Sequence, residues 1–425
     1  MLGFRRARRL LPLTFLFLLI EFVDELHYGM QGAVLPSLRS DLGLSYAQVG
    51  LLLGLPGMLG TFLELGVMVL ADTRLRQRLV VGGGLLVALG VLGIAAASSF
   101  PMALLAFVVV FPASGAFVTL AQGTLMELNP GREPQMMARW TVAGALGNLA
   151  GPALIAGGFA LGIGWRWSYV ALAVMAAGLA LLAAAGRFPA RPASPREHSE
   201  PPHASDDADE AAPAAASGLA AQVKEVLVGM AAAVRNPRLL RWFILLDLSD
   251  LLLDVYTGYA ALYFADVVAL DEAQVSLAVT ALMAVGLASN LVLVPVLERV
   301  PGRRLVRRTA LLAGALYIAW LALPWTWAKI ALALAVRFTT LGWYEVLQGE
   351  AYAALPGRSG TVMAINSLFG ILGGGLAWLI GWFAAQAGLP AAMWLLLAGP
   401  LALALFTPRE HSPAQPDAEP PEQAE

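Results

Sequence analysis

Two groups of carboxylates stand inside apolar runs. Glu21, Asp24 and Glu25 fall in the first run, followed by His27 and Tyr28, and Asp247, Asp250 and Asp254 fall in a run near 238–264. At about 100° per residue on a helix, Glu21, Asp24, Glu25 and Tyr28 share an arc of about 100°, His27 lies about 60° beyond Asp24, and the three aspartates form a narrower stripe. A carboxylate at the centre of a membrane helix costs roughly 2.5–3.5 kcal/mol on insertion scales. Acids placed at that cost face a water-filled cavity or one another, not lipid. Neighbouring carboxyls titrate as a coupled set. Such a set can hold a proton at neutral pH and release it when a cation arrives, which is the chemistry of proton-for-cation exchange. Asp24 is the first candidate for the coupling group and Asp250 the second. The same acids could instead bond Ser, Thr, Tyr or backbone groups and only set helix packing. His27 reads equally as a proton relay beside Asp24 or as a packed histidine donating to a carbonyl.

Arg337 is the cation deepest in an apolar run, with Tyr344 and Gln348 on its stripe and Glu345 about 80° away. It could be a counter-ion for the acidic stripes or a binder of an anionic substrate group. The preferred reading is an ion pair with Glu345, Glu350 or an aspartate of the 238–264 run, because an unpaired Arg is costly there. Trp343 and Tyr344 could stack on a planar cation or simply pack. Glu64 has no assigned role, and Glu127 reads as solvated at a membrane edge.

The elements that must carry these groups are membrane helices. Of 425 residues, 59% are apolar and 13% charged, against about 25% charged in soluble proteins. A bilayer-spanning helix needs about 20 apolar residues. Runs near 10–37, 46–71, 79–98, 102–127, 136–162 and 166–186 predict six spans, and 238–264, 273–297, 305–324, 328–351, 360–385 and 391–406 predict six more. Glu21, Asp24 and Glu25 make the first run a retained helix and not a cleaved signal peptide. The divisions expected are an N-terminal six-helix bundle over 1–186, a linker over 187–235, a C-terminal bundle over 236–406 and a disordered tail over 407–425. The linker is rich in Pro, Ala and acids, and its residues 218–234 predict a helix that either lies on the membrane surface or is a plain linker helix.

If the N-terminus is cytoplasmic, every one of the 27 Lys and Arg residues except Arg39, Arg166, Lys329 and Arg337 is cytoplasmic. That is the positive-inside pattern, with both termini and the linker in the cytoplasm. The halves also repeat at one constant offset. Ala47-Gln48-Val49 aligns with Ala273-Gln274-Val275, Pro130-Gly131-Arg132 with Pro356-Gly357-Arg358, and Met137-Ala138 with Met363-Ala364. Glu21 and Asp24 align with Asp247 and Asp250, Gly144 and Gly147 with Gly370 and Gly373, and Asp72 with Glu298. A parallel repeat of six helices is a transporter architecture with its substrate site between the halves.

On these residues the chain resembles the major facilitator superfamily (MFS) over essentially its whole length. Leu35-Pro36-Ser37-Leu38-Arg39-Ser40-Asp41-Leu42-Gly43-Leu44-Ser45 resembles that family's link from helix 1 to helix 2. Leu70-Ala71-Asp72 with Arg76 resembles its loop between helices 2 and 3, with Met68 and Leu75 where glycines are usual. Gly147-Asn148-Leu149-Ala150-Gly151-Pro152 with Gly157-Gly158 resembles the helix 5 antiporter motif with a Gly-Pro to Gly-Gly spacing two residues longer. Phe111 stands where the helix 4 arginine of many drug–proton antiporters would be. The resemblance implies an all-α membrane protein of twelve transmembrane helices in two pseudo-symmetric six-helix bundles. It places helices 1 and 7 on the central cavity, and it makes Asp72 with Arg76, and Glu298 with Arg303 and Arg304, candidate cytoplasmic gates.

Glycines on helix 5 (Gly144, Gly147, Gly151, beside Pro152) and helix 11 (Gly370, Gly373, Gly374) predict close contacts that a rocking interface between the halves would use. Packing without motion is the alternative. Pro56, Pro112, Pro152 and Pro295 are expected bends. With no cysteine and no nucleotide, zincin or nucleophile-elbow motif, neither an enzyme, a resident metal or cofactor, nor ATP-driven transport is expected. The expected function is secondary active transport, with proton-coupled export of a small cationic or amphipathic compound leading. Proton-coupled uptake of a sugar or organic acid is the alternative. A non-transporting receptor, scaffold or lipid-handling protein is the reading from another class. The partners expected are a small-molecule substrate, protons and the bilayer of a bacterial inner membrane, without nucleic acid, and a monomer suffices.

Overall fold

Long apolar runs in a bilayer must satisfy their backbone polar groups internally, so each closes its own helical hydrogen bonds. The computed structural model describes residues 2–70, 75–129, 132–186, 188, 236–354 and 359–409, and every regular element among them is a helix. The first half holds α1 (Leu2–Leu42), α2 (Tyr46–Leu70), α3 (Arg76–Ala96), α4 (Phe100–Leu128), α5 (Glu133–Ala160) and α6 (Gly164–Ala185). The second half opens with α7 (Pro237–Asp250), a π-helical turn (Leu251–Val255) and α8 (Tyr256–Asp266). It continues with α9 (Glu272–Leu297), α10 (Gly302–Ala322), α11 (Thr326–Thr339), α12 (Trp343–Ala354) and α13 (Ser359–Ala387). It ends with α14 (Leu389–Met393), a 3-10 turn (Trp394–Leu397) and α15 (Ala398–Phe406). Among the described residues nine helices are long and apolar enough to cross a membrane. The acid-bearing α1 and the segmented α7–α8 span are not among them. The expected helix at 218–234, the tail beyond 409, and Asp72, His198, His203 and His411 lie outside the described residues.

The internal repeat has a local physical cause at its best-matched point. Ser45 and Gln48 form a reciprocal cap at the start of α2: Gln48 N donates to Ser45 Oγ (3.2 Å) and Ser45 N to Gln48 Oε1 (2.9 Å). Asp271 and Gln274 repeat it at the start of α9, at 2.8 and 3.2 Å. Each pair satisfies two backbone donors that a helix start leaves open.

Three spans depart from the single helices expected, the last of them by the 3-10 turn between α14 and α15. The tenth, read as one helix over 328–351, breaks between Thr339 and Trp343. Thr339 and Thr340 hydroxyls donate to the Val336 and Arg337 carbonyls (2.8 and 2.9 Å). Gly342 then takes φ +74°, a conformation that favours glycine. The seventh span carries the π-helical turn, whose extra residue per turn displaces the side chains that follow it.

α2 packs along α13, α5 along α9 and α1 along α8, joining the halves. Arg76, Glu127, Arg303 and Glu350 mark the face that carries the chain ends, and Arg39, Arg166 and Lys329 mark the far face. The far-face cations all have tertiary partners. Arg166 Nη1 donates to the Ala95 and Ala97 carbonyls at the end of α3 (2.7 and 2.9 Å). Lys329, 6% exposed, donates to the Trp320 carbonyl at the end of α10 (2.8 Å) and to Tyr263 Oη (3.0 Å), with the Tyr263 and Trp320 rings beneath it. A buried hydrogen bond from a charged group contributes about 1.5–3 kcal/mol. Lys329→Met should therefore lower thermal stability by about that much, and Lys329→Gln, which keeps a donor, by less; unchanged melting in both variants would refute the capping role.

Candidate functional site

The three acids of α1 have three different environments. Glu21 is 7% exposed and lies in the α1–α5 seam, where a Cβ on Gly144 would come within 2.6 Å of its Oε1. Asp24 is 7% exposed and its Oδ1 accepts from Ser114 Oγ of α4 at 2.7 Å. Glu25 alone of the three lines the central cavity, its Oε2 accepting from Asn148 Nδ2 of α5 at 3.0 Å. The cavity has a volume of about 640 Å³. Its lining takes Asp250 and Asp254 from the α7–π–α8 span and Arg337 from α11. Asp247 is buried instead, 8% exposed, and does not line it.

Arg337 is close to Gly286 of α9, where an added Cβ would sit 3.0 Å from its Nε. Its Nε is buried without a hydrogen-bond partner, and among the described residues it makes no ion pair within 4.0 Å. Asp254 lines both of the pockets that Arg337 lines, and Glu345 lines the smaller one. The ion pair preferred from the sequence is thus absent as a direct contact, and Glu350 is engaged elsewhere: Arg303 Nε donates to its Oε1 at 2.6 Å.

His27 packs edge-on to Tyr28 and Tyr169 and against Phe107, with ring centroids 5.4, 6.1 and 6.2 Å away. Its Nδ1 is buried with no partner, so the expected bond to a carbonyl is not made from that atom. His27 and Tyr28 still contribute surface to the cavity. Trp343 is fully buried and its Nε1 donates to Thr309 (2.8 Å), which removes it as a stacking platform for a cation. Tyr344 and Glu345 line a smaller polar pocket of about 230 Å³ that shares Asp250, Asp254 and Arg337 with the main cavity. Gln348 lines neither pocket.

Sequence reasoning missed Gln31, Asn148, Ser289 and Asn290 as cavity polar groups. A signal existed for Gln31, seven residues after Asp24 and three after Tyr28 on one helix face. Asn148 stood inside the quoted helix 5 motif without a role.

Among the described residues the gate candidates have the following partners. Arg76 makes a two-bond pair with Glu127 (2.6 and 3.0 Å), so Glu127 is not merely solvated. Asp72 lies outside the described residues. Arg303 pairs with Glu350, while Glu298 is exposed and makes no ion pair among the described residues. Arg304 lines a separate basic pocket. Both halves thus tie the first turn of one span to the end of the next, α3 to α4 and α10 to α12. On the far face a latch crosses between the halves: Asp266 Oδ2 accepts from Arg39 Nη1 and from Tyr46 Oη, each at 2.8 Å, with Arg39 over the Tyr46 ring.

The glycines also divide. A Cβ on Gly147 would overlap the Phe22 carbonyl, and one on Gly151 would lie 2.5 Å from the Leu26 carbonyl, so with Gly144 they seat α5 on α1 inside the first half. Pro152 is buried beside them. These glycines therefore pack inside the first half, and the contact that α5 makes with α9 across the halves does not use them. Gly374 does sit between halves, with a Cβ 2.8 Å from the Gly54 carbonyl. Gly370 has open space at its Cβ position, and Gly373 faces Asp250 Oδ2 at 3.9 Å; both line the cavity.

Two sets of packed membrane helices around a central cavity that carries charged groups define a secondary membrane transporter. The Major Facilitator Superfamily model matches residues 17–348. The chain belongs to that family of transporters. Solved structures of the same fold include a bacterial homolog to the human lysosomal transporter Spinster, inward-facing and occupied, with a TM-score of 0.71, 14% identity, and 95% of this chain and 96% of that one covered. The nucleoside transporter NupG aligns with a TM-score of 0.69 at 13% identity, covering 92% of this chain and 97% of that one. The peptide transporter POT in complex with sulfate aligns at 0.65 and 15%, covering 92% and 93%. No match to this sequence is found among curated proteins.

Proposed function

We propose that the chain exchanges protons for a small cationic or amphipathic compound and exports it, with both termini cytoplasmic in a bacterial inner membrane. The observation that carries this reading is the charge of the cavity: Glu25, Asp250 and Asp254 line it against the single guanidinium of Arg337. A cation entering that space meets three carboxyls drawn from both halves. Its charge replaces that of protons held there, and the protons leave when water reaches the cavity from the opposite side. Phe107, Phe111 and Met283 add apolar wall for an amphipathic body. The coupling role moves from Asp24, engaged by Ser114, to Asp250 and Asp254, with Glu25 on the facing half. The likeness of Gly147–Pro152 to the antiporter motif supports the direction.

Uptake of a polar nutrient is the second reading. It draws on the buried, unpartnered Nε of Arg337, which would suit an anionic group, and on the fold shared with a nucleoside and a peptide transporter. Proteoliposomes with an internal pH dye under an imposed pH gradient separate the two. Lipophilic cations should trigger proton movement and sugars or carboxylates should not. Proton flux triggered only by sugars or carboxylates would establish uptake. No triggered flux from folded protein across the whole panel would sink proton coupling in either direction.

A further inference from the structure

The arginines on the face that carries the chain ends are concentrated at one place. α10 opens with Arg303, Arg304, Arg307 and Arg308. That spacing puts them on two neighbouring stripes of one helix. α15 packs against α10, Arg307 Nε donates to the Ala404 carbonyl (3.3 Å), and the chain leaving α15 brings Arg409 to the same spot. All five guanidinium groups line one pocket of about 360 Å³, and no acidic side chain is among its described lining residues. Glu350 offsets the charge of Arg303 from outside the pocket. The start of α10 adds its own positive dipole.

Leu311, 63% exposed, and Pro408 complete the lining of the pocket, and α10 continues past Leu311 with exposed Leu312 and Ile318. A cationic rim thus runs directly into lipid-facing apolar surface. Guanidinium groups bind phosphate oxygens in pairs. Positive-inside anchoring accounts for arginines at a membrane edge but not for five of them around one concave volume.

We propose that this pocket binds the phosphate headgroup of an anionic glycerophospholipid, whose acyl chains lie along the Leu311 face of α10. A soluble phosphate would use the same guanidinium groups and leave Leu311 without a role. The competing occupant within the chain is the acidic sequence that follows Arg409, with Glu410, Asp417, Glu419, Glu422 and Glu425.

The test titrates the full-length protein in neutral detergent with phosphatidylglycerol, phosphatidylcholine or inorganic phosphate and reads thermal stability. Phosphatidylglycerol should raise the melting temperature saturably, and the other two should not. R308Q/R409Q, which leaves the Arg303–Glu350 pair and the Arg307 bond intact, should raise the half-maximal lipid concentration roughly tenfold or more. R308K/R409K should retain most of the response; if R308Q/R409Q does not fold, this variant and the three wild-type titrations still decide. Equal stabilisation by inorganic phosphate would overturn the proposal in favour of a soluble-anion site. An unchanged titration in R308Q/R409Q would remove the lipid from this pocket. Lipid stabilisation that is absent in the wild-type chain and appears only after neutralising the five tail acids would assign the pocket to the tail. None of these readouts depends on transport, so failure here leaves the proton-exchange reading untouched.

Discussion

Asp250→Asn should abolish substrate-driven proton flux, while Asp24→Asn should keep it. The two residues occupy matched positions in the two halves, yet only Asp250 borders the cavity. Asp24 is 7% exposed and bonded to Ser114, and an asparagine there can still accept that bond. At Asp250 the amide keeps the shape and loses the charge. A carboxylate and a cation about 6 Å apart at an effective dielectric near 20 interact by roughly 3 kcal/mol, equivalent to about a hundredfold in affinity. Asp250→Asn should therefore weaken cation binding by about that factor. The check is paired: pH-dye flux and cation binding on the same reconstituted variant, with Asp24→Asn alongside. Coupled flux that survives Asp250→Asn and disappears in Asp24→Asn would return the coupling role to the first helix.

Gly54→Val should open the far face. A Cβ at Gly54 would overlap the Gly374 carbonyl, so the backbones of α2 and α13 touch only because neither has a side chain there. Gly50 and Gly381 extend the seam, and Tyr259 Oη of α8 lies beside both and donates to the Ala377 carbonyl of α13, within the second half, at 2.8 Å. The Arg39–Asp266–Tyr46 latch closes the same end. Overpacking such a contact costs roughly 1–3 kcal/mol, which shifts a two-state equilibrium by about 5–150-fold. The cost falls on the state in which this seam is closed, because a rocking motion separates the two backbones in the other.

The chain has no cysteine, so one Gln31→Cys in the cavity wall reports access with a membrane-impermeant maleimide. Labelling from the far face should rise steeply in Gly54→Val and only slightly when the latch alone is cut by Asp266→Asn. An exposed ion pair contributes about 0–1 kcal/mol, less than the seam. Gly147→Val offers the contrast: it strikes the α1–α5 contact within one half and should lower the yield of folded protein without shifting access. Unchanged labelling in folded Gly54→Val would show that this seam does not govern opening.

The membrane made much of this architecture legible in the residues. Spanning demands long apolar runs, so the helices could be read off, and the cost of charge in lipid singled out Glu21, Asp24, Glu25, Asp247, Asp250, Asp254 and Arg337 as groups facing protein or water. The repeat was readable because its caps are local: Ser45 with Gln48 and Asp271 with Gln274 each close within three residues. What each acid does was not readable, because it turns on small helix rotations and on partners far along the chain. Ser114 is 90 residues from Asp24 and Asn148 is 123 from Glu25. Asp254 lies in a π-helical turn and lines the cavity that Arg337 also lines, and the break at Gly342 borders the polar pocket next to them. Hydropathy records that a charge is away from lipid, but only the packed helices decide whether it faces a neighbour or the cavity.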